Sequence, residues 1–358
     1  MLLFVIDTVR SVFPESDVEV WIPIPGPLSR QIQLDFPEVA VRFEPTAVLR
    51  RYDFRRLNFS ALFRMAFFPG WISRFSAYDC ILVNTIVIWD VLLALRFVKR
   101  RKLVYVHEAP KGFSRHIFRH LLRWSGAEQV FVSHAAQQSV GRPGNVSERV
   151  IWNGANPIMI NGAENQNHRN ELHLLQIGRI SASKGQQMLL DALIAMPEEA
   201  RTLIRLRIVG DAFGEDSILV EALHAMVRDS GLSTQVTFHP FVPDTAAHFA
   251  WADAIVIPSL QPESFGLVAI EAMSAGRPVM AAAHGGLLEI VDHDVTGWLF
   301  PPGDVKQLSR LLLNATAMDR GAFWAMGAAG RRRYDTFFST QLCREAWIAL
   351  LEEGFATS

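Results

Sequence analysis

The chain has 358 residues, half of them apolar and a fifth charged, with a formal net charge of −1. That length exceeds one average core and predicts two domains, and the composition excludes a disordered chain. Two distant cysteines, Cys80 and Cys343, exclude a disulfide framework and a cysteine metal cluster. No apolar run reaches the roughly 18–20 residues that span a bilayer. The opening residues are interrupted by Asp7 and Arg10 and lack the basic start of a signal peptide. The expected compartment is the reducing cytoplasm. The net charge hides an asymmetry: residues 1–153 hold 20 Lys and Arg against 13 Asp and Glu, the remainder 15 against 23. Such a division arises by chance between two solvated surfaces, or from a basic first half facing an anionic surface or acceptor.

Residues 2–13 read as a helix, with Leu2, Val5, Ile6 and Val9 on one face, and residues 18–22 as a strand. A doubly wound domain opens with a strand and a Gly-rich turn before its first helix. The first strand and turn are therefore expected to be missing here, leaving a sheet edge uncovered. The alternative makes residues 2–6 that strand. A turn is expected at 25–28 and a strand at 39–43. Arg50, Arg51, Arg55 and Arg56 then lead into Phe59, Leu62, Phe63, Phe67, Phe68, Trp71, Ile72 and Phe75. Arginines beside aromatics suit an anionic membrane interface; an amphipathic core helix, interrupted at Pro69-Gly70, is the other reading. Residues 78–84 form a strand and 89–97 a helix ending in Lys99-Arg100-Arg101-Lys102. A buried strand at 103–106 finishes at His107 and Glu108. Polar residues at the carboxyl end of a parallel strand face the ligand crevice, so His107 is a candidate site residue. Strands at 129–133 and 150–154 close the domain, and polar residues 156–171 form the linker.

The second half restarts with a strand at 172–179 running into Gly178 and Arg179, then Lys184-Gly185 and a helix at 186–196. Two fixed cations beside a Gly-rich loop suit the charge that builds on a departing diphosphate. A strand at 206–211 turns at Gly210, a helix runs through 227, and 236–242 is a strand and loop holding Phe241. The chain is organised around residues 262–276. A buried strand at 254–258 precedes them, and Leu267, Ile270 and Met273 recur at helical spacing, with Ser264 as the expected N-cap and Gly276 as the stop. A helix start offers unpaired N–H groups and a positive dipole end, which suit an anion. Glu263 and Glu271 would repel a phosphate, so they fit hydroxyl recognition at either end of a ligand whose middle is anionic, which describes a sugar nucleotide. Gly285-Gly286 would admit the sugar close to the backbone. Helices follow at 306–315, 323–334 and 342–353.

Glu263 and Glu271 enclose seven residues, and the block continues through residues 285–291 and 297–304. In this it resembles the retaining glycosyltransferases of family GT4, the group 1 transferases, with their Glu-x7-Glu motif. Residues 178–185 resemble the family's Gly-Arg-x4-Lys-Gly element. The likeness is strongest from 172 to 304 and thin before 78. It implies an α/β chain of GT-B architecture: two Rossmann-like doubly wound domains facing a central cleft. Residues 1–160 would bind the acceptor, 161–340 the nucleotide sugar, and 341–358 would return as a helix to the first domain.

The implied reaction moves a hexose from a nucleoside diphosphate sugar to an acceptor hydroxyl with retention of configuration. Glu263 would hold sugar hydroxyls, Arg179 and Lys184 the diphosphate, and His107 the sugar's 6-hydroxyl or the acceptor. Gly178, Gly210, Phe241, Ser264, Phe265, Gly266, Leu267 and Glu271 would bind the donor, Glu271 at the ribose. No Asp-x-Asp motif stands where a diphosphate-bound cation would need it, so no metal or cofactor is expected. The partners implied are the nucleotide sugar, a saccharide or lipid-linked acceptor in surface polysaccharide or glycolipid assembly, and a membrane surface; no nucleic acid is expected. The alternatives are a sugar-nucleotide-binding partner protein that has lost activity, and an epimerase or phosphorylase on the same architecture.

Overall fold

The structure, a computed structural model, describes residues 2–44, 46, 68–141, 147–160 and 171–355. The chain divides into two units: Met1–Asn153 with Cys343–Ser358, and Gly154–Leu342. The division falls a few residues ahead of the expected boundary at 160.

In the first unit the opening segment Leu2–Val12 is a helix that buries Val5, Ile6 and Thr8, not a strand. Strands β1 (Glu19–Ile22) and β2 (Ala40–Phe43) pair in parallel as one sheet. Strands β3 (Cys80–Val83), β4 (Arg101–Val106), β5 (Glu128–Phe131) and β6 (Glu148–Val150) form a second, also parallel. Aromatic packing links the elements that follow β1 in space. Trp21 of β1 meets Trp71, Phe75 and Tyr78 with ring centroids 5.4–6.1 Å apart, and the Tyr78 hydroxyl donates to the Glu19 carboxylate.

One expectation fails here. Pro27 was expected in a turn but sits at the first position of a helix, Pro27–Asp35. Pro69-Gly70, expected to interrupt the aromatic stripe, lies in the first turn of the helix Phe68–Phe75, and the stripe ahead of it is outside the described residues. Proline tolerates a first turn because its missing N–H would find no partner there anyway. The helix Gly112–Ser125 was not anticipated. Arg50, Arg51, Arg55, Arg56, Phe59, Leu62, Phe63 and Phe67 lie outside the described residues, as does most of the linker.

The second unit carries a six-stranded parallel sheet in the order β12-β11-β10-β7-β8-β9. Its strands are β7 (Leu172–Ile177), β8 (Ile204–Val209), β9 (Val236–His239), β10 (Ala254–Ile257), β11 (Val279–Ala282) and β12 (Gly297–Phe300). In chain order from β7, this is the 3-2-1-4-5-6 pattern of a Rossmann sheet read from its far edge. All four residues of β10 and of β11 are buried, as expected of strands covered on both faces. Leu189, Leu193, Leu206, Val256 and Met280 are among the side chains of the core. The expected fold class, α/β with two parallel-sheet domains, describes the chain.

The last helix, Thr340–Phe355, completes the core of the first unit. Trp347 is fully buried and meets the Tyr105 ring edge-on at 4.7 Å. The Tyr105 hydroxyl donates to Asn153 Oδ1 at 2.6 Å. Arg101 donates to the carbonyls of Leu350 and Leu351 at 2.7 and 2.8 Å, capping that helix with a cation. Trp347→Ala is expected to destabilise the first unit by about 3–5 kcal/mol, read as a lowered urea midpoint of that unit's transition.

Candidate functional site

In the second unit the order in which strands are added reverses between β7 and β10, which are hydrogen-bonded neighbours. Ligands of open α/β sheets bind outside the carboxyl ends of the strands at such a reversal. The loop after β7 contains Gly178, Arg179 and a single 3-10 turn, Ala182–Lys184. The loop after β10 contains residues 258–266. The Leu260 amide donates to the Ser183 carbonyl at 2.8 Å, tying the loops together.

Two side chains meet across this tie. Lys184 Nζ donates to Glu263 Oε1 at 2.8 Å, and Ser259 Oγ donates to the same oxygen at 2.6 Å. The Ser259 carbonyl in turn lies 2.6 Å from His284 Nε2. Ser183, Lys184, Ser259, Gln261, Glu263 and Ser264 line an open recess of about 190 Å³. The recess thus combines an ammonium, a carboxylate held from two sides, and hydroxyls.

Behind the recess the backbone is packed tightly. Glu263 bridges Gly285 in parallel fashion, and the Gly286 amide donates to the Glu263 carbonyl at 2.9 Å. A Cβ on Gly286 would stand 2.2 Å from the Phe265 carbonyl oxygen, and one on Gly285 2.3 Å from that of Glu263. These glycines let one loop lie against another.

The helix Leu267–Ser274 directly follows the loop. Its N-cap is Gly266, at φ 127°, with no side-chain cap. Ser264 was the expected cap but lies too far ahead of the first turn to serve it. Phe265 is only 3% exposed, so its ring belongs to the core and only its backbone is available to a ligand. Leu267 is exposed at the helix start.

The other candidates are spread out. Gly178 and Gly210 end β7 and β8, and a Cβ on Gly210 would lie 2.1 Å from the Gly178 carbonyl oxygen. Arg179 is exposed. Phe241 is 62% exposed, and its amide donates to Asp211 Oδ1 at 3.3 Å. Glu271 lies further along the helix and does not line the recess. Burial pushes its carboxyl from an ordinary 4.5 up to about 7.

His107 belongs to the first unit, just past β4. Its Nε2 lies 2.9 Å from Asn84 Oδ1, and its ring packs on Tyr105 at 4.1 Å. Burial lowers its pKa to about 4, so the imidazole is neutral at pH 7. Glu108 beside it accepts from the Thr85 hydroxyl and from the amides of Ile86 and His107. Burial raises its pKa even against those donors. Asn84, Thr85, Ser259 and His284 were not singled out in the sequence. The signal available was position alone: Asn84 directly follows β3, and Ser259 lies two residues past the end of β10.

Residues 161–320 match the family profile described as glycosyl transferases group 1. Residues 161–320, most of the second unit, are thus similar to the group 1 glycosyl transferases. An uncharacterized glycosyltransferase of Methanocaldococcus jannaschii is 32% identical over 203 residues, 52% of this chain and 50% of that protein. A D-inositol 3-phosphate glycosyltransferase of Xylanimonas cellulosilytica is 39% identical over 165 residues, 45% of this chain and 38% of the relative. The chain thus spans half or less of the curated relatives it matches. Among solved structures, Anabaena HepE in complex with UDP superposes with a TM-score of 0.80 at 22% identity, covering 98% of this chain and 95% of that one. WaaG, a glycosyltransferase involved in lipopolysaccharide biosynthesis, gives 0.66 at 16% identity, covering 97% and 94%. These likenesses extend over both units and establish a shared fold.

Glu271 sets a pH test. Its folded pKa lies above the unfolded value, so the folded chain holds a proton that the unfolded chain has released between pH 4.5 and about 7. The stability tied to that proton is complete below pH 4.5 and lost as pH rises through 7. Glu271→Gln is therefore expected to raise the thermal midpoint at pH 8, by a free energy of at most about 3 kcal/mol, and to change little at pH 4.5. Thermal melts of both proteins across pH 4.5–8 measure it.

Proposed function

We propose that the chain is a glycosyltransferase moving a hexose from a nucleoside diphosphate sugar to an acceptor hydroxyl, with retention of anomeric configuration and without a metal ion. One observation carries this reading: Lys184 and Glu263 meet at the sheet's switch point, with three residues between Glu263 and the start of the Leu267–Ser274 helix. A diphosphate needs a cation and N–H donors, and a sugar needs a fixed carboxylate. Lys184 and Arg179 supply the cations, and the amides of the first helical turn, including Leu267, supply donors along the helix dipole. Glu263, held by Lys184 and Ser259, takes hexose hydroxyls, and Glu271 takes those of the ribose.

As the bond from the anomeric carbon to the diphosphate breaks, positive charge gathers on the sugar and negative charge on the leaving oxygen. Fixed cations and amides lower that barrier because they need no reorientation as the charge develops. The neutral His107 imidazole is assigned to the sugar's 6-hydroxyl or the acceptor. HepE was crystallised with UDP and with UDP-glucose, which makes UDP-hexoses the first donors to test. The acceptor is a saccharide or a lipid-linked saccharide, and the setting surface polysaccharide or glycolipid assembly at the cytoplasmic face of a membrane.

The test is calorimetric binding and turnover with a panel of nucleotide sugars, with and without EDTA. Binding of one nucleoside diphosphate sugar and EDTA-resistant turnover are expected. Failure of every nucleotide to bind overturns the reading, and EDTA-sensitive turnover restored by a divalent ion overturns its metal-free part. Lys184→Ala should lower kcat roughly 100- to 1,000-fold. Glu271→Ala should weaken nucleotide binding by about tenfold or more.

A further inference from the structure

The helix Gly112–Ser125 buries Phe118, Leu122 and Ser125 on one side. Its opposite side is unusual for a solvated helix. At about 100° per residue, Phe113, His120 and Trp124 fall on one meridian, the two aromatics about 16 Å apart along the axis. Phe113 is 75% exposed and Trp124 49%. Beside Trp124 stands Phe97, 52% exposed, with ring centroids 6.4 Å apart. The Arg96 guanidinium lies 5.9 Å from the Trp124 ring.

The charge around this strip has one sign. Glu108 is the single acidic residue from 91 to 127, a stretch holding nine Lys and Arg. Three of the nine serve the fold: Arg101 caps the last helix, Lys102 donates to the Leu95 and Val98 carbonyls, and Arg119 donates to the Ser139 carbonyl. Arg96, Lys99 and Arg123, each within two residues of Phe97 or Trp124 in the chain, are exposed, as is Lys111 two residues before Phe113.

We propose that this face, the outer side of the Gly112–Ser125 helix with residues 96–100 beside it, docks on an anionic lipid surface. Aromatic rings spaced along a helix enter the boundary between headgroups and acyl chains, where Trp is favoured. The surrounding cations meet the lipid phosphates, each arginine strengthening binding roughly fivefold near an anionic surface. An acidic protein is the other occupant that this charge and these aromatics allow, and vesicle binding separates the two, because such a face would leave the chain unsedimented. This gives the peripheral location proposed above a definite surface, and it needs no turnover.

The test is co-sedimentation of the intact chain with vesicles of phosphatidylcholine alone or mixed with phosphatidylglycerol. Binding to the mixed vesicles only, weakened by high salt, is expected. Phe113→Ala with Trp124→Ala should lower the partition coefficient at least about tenfold, and Arg96→Gln with Arg123→Gln roughly 25-fold. All four side chains are exposed, so unchanged melting and nucleotide affinity should accompany both losses. The proposal is overturned if the chain ignores phosphatidylglycerol or binds phosphatidylcholine equally well. It is also overturned if the aromatic variant binds like wild type, or if sedimentation velocity shows that variant merely splitting a dimer. A chain that binds vesicles but no nucleotide would sink the transferase reading and leave this one standing.

Discussion

One ammonium–carboxylate contact, Lys184 to Glu263, organises the second unit's ligand recess. The two residues stand 79 positions apart in the chain and meet because β7 and β10 are adjacent parallel strands whose carboxyl ends open side by side. The pair solves an electrostatic problem before any ligand arrives. A carboxylate alone would repel a diphosphate, and an ammonium alone would leave the sugar's hydroxyls without a fixed acceptor. Joined, they offer a nearly neutral floor with a positive and a negative end. Breaking either half leaves the other charge partly buried and unpaired.

Much of this was legible in the sequence because periodicity and punctuation report it directly. Branched apolar runs gave β7, β8 and β10, and Glu263, Lys184 and Glu271 stood out through the glycines and the spacing around them. What escaped notice depends on contacts across the fold. Ser259 carries no periodic signal; its meaning arises only where its hydroxyl reaches Glu263. Gly285 and Gly286 announced a close approach, and protein backbone packs where a Cβ would stand. The burial that raises the Glu271 pKa is invisible in a list of residues.

The first unit was harder to read, and the reasons are local. Proline suggested a turn at Pro27, where it begins a helix. The Gly112–Ser125 helix was passed over although Ile117, Phe118, Leu121 and Leu122 recur at helical spacing, because Phe113 and Trp124 on the other side blur that pattern. The parallel pairing of β1 with β2, apart from β3 to β6, follows from no pattern in the strands themselves. Trp21 and the rings around it are what join those parts.

The position of Trp347 also bears on how the chain reaches its native state. Its indole fills the centre of a unit whose other residues end at Asn153. During synthesis the ribosome must therefore complete the entire intervening Rossmann unit before the earlier one can close its core. The amino-terminal half waits with an open hydrophobic slot, while the later-made half, continuous in sequence, can mature first. Chaperone dependence and vulnerability to proteolysis on the ribosome should concentrate in the part of the protein that is made earliest.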